Sequence, residues 1–401
     1  MPENCKIKIV HIVTRLDFGG AQFNTLYTAD NLDKSIFEVH LLAGPGGTMD
    51  KDIPMSHGSG HHKGIAISVI PELRREISPF YDTRAVFAIA AKLRQIRPDI
   101  VHTHSSKAGI LGRIAARIAG VPLIIHTFHG FGFHPYQNAL IRKIYVSLEK
   151  FCARFSSALI FVSKSNMDYA CSLKIGKKEK YHLIRSGIKL SAYPAKADRN
   201  IILPSFGINP ESLPRPVIVF SIGNSKPQKN MGDFIRAAAE ISKTRKNVFF
   251  VFAGGGEELP KFKKMAEGLG ASENCILAGW RSDSAALLSI CDIYAMTSLW
   301  EGLPRSLVEA FASGKPAVCY RADGIADILE DGINGFSSEK KDISGFIRLL
   351  EQVIDNAELR ARLAEGAKKT PLNDFDIDYM VRQQETLYKE LALKSSLVVN
   401  S

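Results

Sequence analysis

The sequence predicts an α/β protein made of two successive doubly wound, parallel-sheet domains. Three observations carry that expectation. The chain has 401 residues, too many for one ordinary core and ample for two domains of about 200 residues each. Short apolar runs of strand length alternate with amphipathic stretches of helix length, the pattern of a parallel sheet covered by helices on both faces. The alternation breaks once, over residues 191–215, where SAYPAKADRNIILPSFGINPESLPR carries four prolines and no clean period. An interdomain linker is expected there.

Taken in order, the strands of the first half are IKIVHIV (7–13), FEVHLLAG (37–44), AISVI (66–70), DIVHTHS (99–105), PLIIHTFH (122–129) and ALIFVS (158–163). Between them DTRAVFAIAAKLRQI and KAGILGRIAARIAG read as helices, the second stopping at Gly120, since glycine is the residue that most readily ends a helix in a left-handed conformation. The second half repeats the pattern with PVIVFSIG (216–223), VFFVFAGG (248–255), CILAGW (275–280), DIYAMTS (292–298) and PAVCYR (316–321). The expected boundaries are 1–190, the linker 191–215, 216–370, and a C-terminal helix and tail over 371–401. Ligands in such sheets bind outside the carboxyl ends of the strands, so motifs are sought there.

Composition is that of an ordinary soluble domain pair, 45% hydrophobic and 23% charged. No apolar run approaches the roughly 20 residues of a spanning helix, and the N-terminus runs straight into a strand with no signal-peptide pattern. The six cysteines are scattered, with no C-x-x-C, and read as reduced thiols of a cytoplasmic protein. Charge is asymmetric. Residues 1–200 hold 28 Lys+Arg against 15 Asp+Glu, a net +13, whereas residues 201–401 hold 24 against 26, a net −2. All eleven histidines also fall in the first half. An anionic partner for that half alone is one reading, and a solvated basic surface is the other.

The richest motif is LWEGLPRSLVEAFASGKP (299–316). Pro304 suits the first turn of a helix, placing Glu301 in the loop before it and Glu309 about two turns inside. A helix start offers unpaired N–H groups and a positive dipole end to an anion, and a carboxylate just ahead of it suits the hydroxyls of a sugar attached to that anion. The alternative is a surface glutamate at 309 and a charge stabilising the helix start at 301. A second block, SIGNSKPQKNMGDFIRAA (221–238), is strand, loop and helix, with Lys229 in the loop. In RLDFGGAQ (15–22), Gly19 and Gly20 suit a turn near a phosphate. That block lacks the third glycine of G-x-G-x-x-G, and no acidic residue ends the next strand to hold a ribose, so a dinucleotide-binding reading fails.

These blocks together resemble the retaining glycosyltransferases of family 4, which have the two-Rossmann GT-B architecture. The resemblance runs through FGGAQ, RPDIVHTHSSKAGILGRIAARIAGVPLIIHTFHG, PQKN, AGGGEE, LAGW, DIYAMTS and EGLPRSLVEA, each at the end of an expected strand. It implies a donor domain in the second half, an acceptor domain in the first with a cleft between them, and a C-terminal helix crossing back. Carried over, Glu301 holds donor-sugar hydroxyls, with Gly302 and Leu303 beside it, and Glu309 holds the ribose. Lys229 lies on the donor pyrophosphate, where a cation stabilises the charge of the departing nucleotide. Gly19 and Gly20 lie at the first domain's edge of the cleft. His129 reaches the donor sugar, so the expected catalytic set is His129, Lys229 and Glu301. His104, Ser105, Ser106 and Lys107 line the acceptor side.

The family has an arginine after the strand glycine Gly223, where this chain has Asn224; Lys226, Arg281 or Arg305 are the candidates to replace that charge. Asp327 stands where the family often has glutamate, in a loop next to the donor site. The alternating pair His102 and His104, with His126 and the run HGSGHH (57–62), has metal-ligand character, but no cysteine or carboxylate cluster accompanies it. DFDID (374–378) reads as the start of a helix rather than a cation site. The resemblance therefore implies no required metal or cofactor, only a UDP- or GDP-sugar as co-substrate.

The helix NALIRKIYVSLEKFCARFSS (138–157) carries Leu140, Ile144, Leu148 and Phe151 at three- and four-residue spacing, with Arg142, Lys143, Lys150 and Arg154. It is either a membrane-surface helix or a core helix with a basic outer face. The first reading, with the +13 half, points to a lipid-linked or saccharide acceptor in bacterial surface-polysaccharide synthesis and to peripheral contact with the inner face of an anionic membrane. A nucleotide-sugar epimerase of the same architecture and a non-catalytic carbohydrate-binding protein are the rival functions. No nucleic-acid partner is expected, since no basic-aromatic platform or binding module is present.

Overall fold

The computed structural model describes residues 6–17, 19–47, 55–56, 59–62 and 65–399. The chain forms two compact units, Met1–Gly187 together with Ile377–Ser401, and Ile188–Asp376. Residues 191–215, expected as a linker, belong to the second unit. There Arg199–Ile202 is a helical turn, and Arg199 donates to the carbonyl of Ile290 at 2.7 Å and pairs with Asp292 at 3.1 Å.

The first unit is built on β1 (Ile7–Arg15), β2 (Phe37–Gly44), β3 (Met55–Ser56), β4 (Ser59–His62), β5 (Ile65–Val69), β6 (Ile100–His104), β7 (Leu123–Phe128), β8 (Ala158–Phe161) and β9 (Tyr181–Leu183). They lie in the order β3-β4-β5-β2-β1-β6-β7-β8-β9. The seven strands from β5 to β9 run parallel, and β3 and β4 add an antiparallel edge. The hairpin β3–β4 and the three-residue β9 lack an apolar run of their own and escape the sequence reading.

Alternation along β1 decides what each face packs against. Ile9 and Val13 look to one side, where the helices Gly20–Asn31 and Ile377–Val399 close a core with Met380, Val381, Leu387 and Tyr388. Val10 and Ile12 look to the other, against the helices Pro79–Ile96 and Ser106–Ala119. The C-terminal helix thus completes the first unit, as the resemblance implied. Ser106–Ala119 ends on Gly120 at φ 76°, the left-handed cap read from the sequence. It lies so close to the sheet that a Cβ on Gly109 would stand 2.3 Å from the His126 ring.

The helix Ala139–Phe155 starts at Asn138, whose side chain accepts from the N–H of Leu140 at 2.9 Å. It turns Glu149, Cys152 and Ala153 inward. Glu149 pairs with the wholly buried Arg113, which also donates to the carbonyl of Gly109 at 2.7 Å, so one guanidinium ties two helices together. The apolar stripe is on the outside: Leu140, Ile144 and Phe151 are 66%, 51% and 49% exposed. A core role for that stripe is ruled out, because the packed face is the one bearing Glu149.

The second unit is an all-parallel six-stranded sheet of β10 (Val217–Ile222), β11 (Val248–Ala253), β12 (Cys275–Gly279), β13 (Ile293–Met296), β14 (Ala317–Tyr320) and β15 (Gly335–Ser338). Its order is β12-β11-β10-β13-β14-β15. Strand order reverses between β10 and β13, and likewise between β1 and β6 in the first unit. The carboxyl ends of those strand pairs are where a doubly wound sheet leaves a crevice for ligands. Among the described residues no helix is long and apolar enough to cross a membrane.

Candidate functional site

At the reversal point of the second unit, two loops leave adjacent strands and are stitched together by hydrogen bonds. The loop after β10 runs through Gly223 and Asn224 to a turn at Pro227–Lys229, then Asn230 at φ 48° ahead of the helix Met231–Ser242. The loop after β13 runs from Thr297 to Glu301. The Thr297 hydroxyl bonds the carbonyls of Lys229 and Asn230, both at 3.0 Å, and the Leu299 N–H donates to the Gln228 carbonyl at 2.9 Å.

This stitching brings Lys229 to Glu301. The ammonium donates to Oε1 at 2.6 Å, and the Gln228 amide donates to Oε2 at 3.1 Å and to the Trp300 carbonyl at 2.8 Å. Glu301 is 7% and Lys229 15% exposed. Gly223 gives the lysine stem its path, since a Cβ there would lie 3.2 Å from Lys229 Cε. Neighbouring backbone packs closely against both loops: a Cβ on Gly254 would meet the Gly223 carbonyl at 1.6 Å, and one on Gly324 the Gly302 carbonyl at 2.0 Å. Asn224 Oδ1, Ser225 Oγ and Ser298 Oγ are buried at these strand ends and make no hydrogen bond among the described residues. Groups of this kind are ordinarily satisfied by ordered water or by a ligand.

The helix Arg305–Ala312 begins one residue later than expected, with Pro304 as its cap. Glu309 is therefore only just over one turn inside, and it is half-buried with Arg305 one turn behind it. Burial pushes the Glu309 carboxyl up, with Arg305 opposing, and pushes the Arg305 guanidinium down, with Glu309 and Tyr193 opposing. The Tyr193 phenol is pushed up to about 12, by burial first and then by Glu309, and it hydrogen-bonds Ser284. Tyr193 comes from the stretch read as linker, and nothing in its proline-rich surroundings marks it. Gln228 and Asp323 were also missed. Asp323 accepts from the Glu301 backbone and faces Lys340 at 3.7 Å, and burial raises its carboxyl. Asp327 ends the same turn, Asp323–Asp327.

Of the three charges considered in place of the family arginine, Arg281 is held by Asp283 through two bonds of 2.8 and 2.6 Å. Arg305 stands with Glu309, and Lys226 is exposed.

In the first unit Gly19 caps the helix Gly20–Asn31 in an extended conformation, φ −174°, which any residue adopts. The expected glycine-dependent turn is not there; a Cβ at this position would only touch the end of Gln22, at 2.7 Å. Phe18 lies outside the described residues, as do His57 and the side chains of His61 and His62. Ser105 is a genuine backbone outlier, φ 63° and ψ 162°, at the end of β6. Such strain persists where surroundings enforce it, and here Thr14 Oγ1 lies 3.0 Å from Ser105 Oγ and accepts the Ala108 N–H at 3.2 Å. Lys107 is engaged by Asp82 at 2.5 Å and by the Glu76 carbonyl, so its charge is spent on the neighbouring helix. His102 and His104 share a face of β6 as expected, and His11 of β1 joins them, while His126 points to the opposite face against Thr103. His104 is buried and bonds His129, which is half-buried at the end of β7. In DFDID, Asp378 lies in the first turn of the C-terminal helix and accepts the Tyr27 hydroxyl at 2.5 Å.

Comparison with known proteins bears on the family and the fold. The family model "Glycosyltransferase Family 4" matches residues 18–192, and "Glycosyl transferases group 1" matches residues 208–370. The chain is 29% identical over 392 residues to the UDP-Gal:alpha-D-GlcNAc-diphosphoundecaprenol alpha-1,3-galactosyltransferase of Escherichia coli, covering 97% of this chain and 98% of that one. It is 26% identical to the N,N'-diacetylbacillosaminyl-diphospho-undecaprenol alpha-1,3-N-acetylgalactosaminyltransferase of Campylobacter jejuni, over 81% of this chain and 86% of that one. Among solved structures, Anabaena Alr3699/HepE in complex with UDP-glucose superposes with a TM-score of 0.77 at 21% identity, covering 96% of this chain and all of that one. Sucrose-phosphate synthase from Thermosynechococcus elongatus gives 0.81 at 16% identity, covering 96% and 99%. At those identities the two structures speak to the fold.

Proposed function

We propose that this chain, which belongs to the retaining glycosyltransferases of family 4, moves a sugar from a UDP-sugar to a hydroxyl of a lipid-diphosphate-linked saccharide in bacterial surface-polysaccharide synthesis. The observation that carries the reading is the Lys229–Glu301 pair, buttressed by Gln228, at the strand-order reversal of the second unit. In the resting protein the ammonium and the carboxylate neutralise each other. A donor placed there divides them: Lys229 turns to the diphosphate and Glu301 accepts from sugar hydroxyls. Gln228 keeps the carboxylate aimed while the lysine is engaged elsewhere. Glu309, weakly solvated beside Arg305, takes the ribose hydroxyls, and Asn224 and Ser225 offer their unsatisfied oxygens to the same ligand.

In the transfer, the bond from the anomeric carbon to the phosphate oxygen breaks and the bond to the acceptor oxygen forms on the same face. The acceptor proton passes to the departing phosphate oxygen, so no side-chain base is required. Lys229 acts where negative charge grows, which is where a preorganised cation has most effect. The relatives named for lipid-diphosphate acceptors support the acceptor class. The reading is tested by offering UDP-galactose, UDP-N-acetylgalactosamine, UDP-glucose and GDP-mannose with a polyprenyl-diphosphate-linked N-acetylglucosamine. Transfer from a UDP-sugar with an α-linked product is expected; no transfer and no acceptor-stimulated UDP release across the set would overturn it.

The same acceptor class calls for contact with a lipid surface, and the helix Ala139–Phe155 suits it. Its exposed Leu140, Ile141, Ile144, Leu148 and Phe151 stand beside exposed Lys143, Lys150 and Arg154, the make-up of a helix that lies in an anionic interface. The protein is expected to float with phosphatidylglycerol vesicles at low salt and to float less after I144S/F151S. Equal recovery with neutral vesicles, or none with either, would remove the membrane from the proposal.

A further inference from the structure

The helices on the Val10 and Ile12 side of the first unit's sheet differ in charge from those on the other side. Pro79–Ile96, Ser106–Ala119 and Ala139–Phe155 together carry ten lysines and arginines and two acidic residues. On the opposite side, Gly20–Asn31 and Ile377–Val399 carry three lysines and arginines against four acidic residues. Much of the positive excess of the chain's first half therefore lies on one face of one sheet. We propose that this three-helix layer is a docking face for an anionic lipid surface, in which Phe80, Arg84 and Phe87 form a second anchor beside the helix Ala139–Phe155. The inference extends the membrane contact proposed above for that helix alone.

The layer is tied together by its own acids. Ser106–Ala119 lies between the other two helices, with Lys107 bound to Asp82 at 2.5 Å on one side and Arg113 bound to Glu149 at 2.5 Å on the other. Asp82 and Glu149 are the two acidic residues, so both are engaged inside the layer. With Lys107 and Arg113 matched in this way, eight cations are left. Among the described residues only Arg84 of these eight has an acidic partner, Glu72 at 3.7 Å. Further along the same side, the helix Lys164–Ser172 packs Ala170 beside Ala153 and adds one charge of each sign.

Large apolar side chains stand among those cations. Phe80, Arg84 and Phe87 follow at spacings of four and three, so they make one stripe along the helix. Phe80 and Phe87 are 63% and 60% exposed, and the Arg84 guanidinium lies 5.5 Å over the Phe80 ring. The packed face of that helix is a different one, bearing Ala85, Ile89 and Leu93. Ile118, 41% exposed, ends the middle helix, and the third helix has the stripe of Leu140, Ile144 and Phe151. In the opposite helix layer only Phe23 and Leu393 are large, apolar and exposed among the described residues.

This combination selects the partner. Nucleic acid calls for cations at its phosphates but has no use for an aliphatic stripe. A second copy of this chain would set two positive faces against each other, which costs binding energy. An anionic bilayer meets both needs at once, with negative headgroups for the cations and acyl chains beneath them for the apolar residues. A second stripe also changes what the contact can do. One helix lying on a bilayer leaves the unit free to roll about the helix axis. Two stripes separated by a third helix, each step about 8–10 Å between axes, hold that face of the sheet parallel to the membrane.

The test is the partition coefficient of the whole chain onto vesicles of phosphatidylcholine with about one-third phosphatidylglycerol at low salt, measured by flotation without donor or acceptor. F80S/F87S, whose altered side chains are mostly exposed, is expected to lower it on the order of tenfold. I144S/F151S should lower it by a similar factor, and the four substitutions together by the product of the two. R84Q/R117Q should weaken binding to the anionic vesicles about fivefold or more and leave neutral vesicles unaffected. A folded F80S/F87S that partitions like the wild type, with I144S/F151S defective, overturns the proposal and leaves the single-helix contact standing. Wild-type partition in both variants removes both. If F80S/F87S instead loses self-association in sedimentation, the face belongs to a second copy; if it loses binding to a single-stranded oligonucleotide, it belongs to nucleic acid. Either result, with vesicle binding unchanged, overturns the proposal. Sugar transfer enters none of these measurements, so their outcome is separate from that of the transferase reading.

Discussion

Replacing Lys229 by alanine lowers kcat for sugar transfer by about 10²–10³-fold, the usual cost of deleting one preorganised group aimed at developing charge, while the protein stays folded. The pairing with Glu301 at 2.6 Å makes this variant harder to read than a simple charge deletion. Its removal leaves a largely buried carboxylate without its ammonium while Gln228 still donates to it, and that costs stability independently of catalysis, about 1–3 kcal/mol for a pair still reached by some solvent. The two effects separate in a cycle. Adding Glu301→Gln to Lys229→Met removes the stranded charge, so melting temperature should recover toward the wild type while turnover stays lost. Single and double variants should lie within about tenfold of each other in kcat, because the two residues act on one ligand. Near-normal turnover in Lys229→Ala would mean that the diphosphate is neutralised elsewhere, with Lys226 or Arg305 the next to replace.

Acidification should destabilise the two units unequally. His11, His102, His104 and His126 are buried and neutral, each held below its ordinary value chiefly by desolvation. Once unfolded they take up a proton near pH 6.5. Below that pH the unfolded state binds more protons than the folded one, so stability falls as pH falls. The loss begins near pH 6.5 and continues downward until the folded histidines themselves protonate, about pH 3 for His11. A histidine still neutral in the fold at pH 5 gives up about 2 kcal/mol there. Four such groups take a large share of the 5–15 kcal/mol typical of a domain. Residues 188–376 contain no histidine, so the second unit is the internal control. Hydrogen exchange at pH 7 and pH 5, corrected for intrinsic rates, should show β6 and β7 losing protection while β10 and β13 keep theirs. Equal losses in both units would contradict the assignment.

Much of this was legible in the residues. Runs such as IKIVHIV and PVIVFSIG announce buried parallel strands, and Gly120 and the 299–316 block placed helix ends to within a residue. Local pattern could not say which face of a helix is packed. In 138–157 the apolar spacing suited a core or a membrane equally, and only the distant partner Arg113 reveals that the Glu149 face is inside. The same limit hid the fate of Lys107, whose partner Asp82 lies on another helix, and the company of His104, because His11 is 93 positions away. Short edge strands such as β9 and β15 exist because a neighbour offers them hydrogen bonds, and their own residues carry little signal. Asn224 was read as a lost charge; the structure adds that its oxygen lacks a partner among the described residues, a fact about surroundings rather than about spelling.

The helix Ile377–Val399 lies on the first unit although the whole second unit separates it from that sheet in sequence. This has a consequence for the order of events during synthesis. Residues 188–376 have their whole core in hand once they leave the ribosome. Residues 1–187 have most of a sheet by then, yet one face of it still lacks Ile377, Met380, Leu387 and Tyr388. Domains made first generally fold first; here the half made first is the half that finishes last.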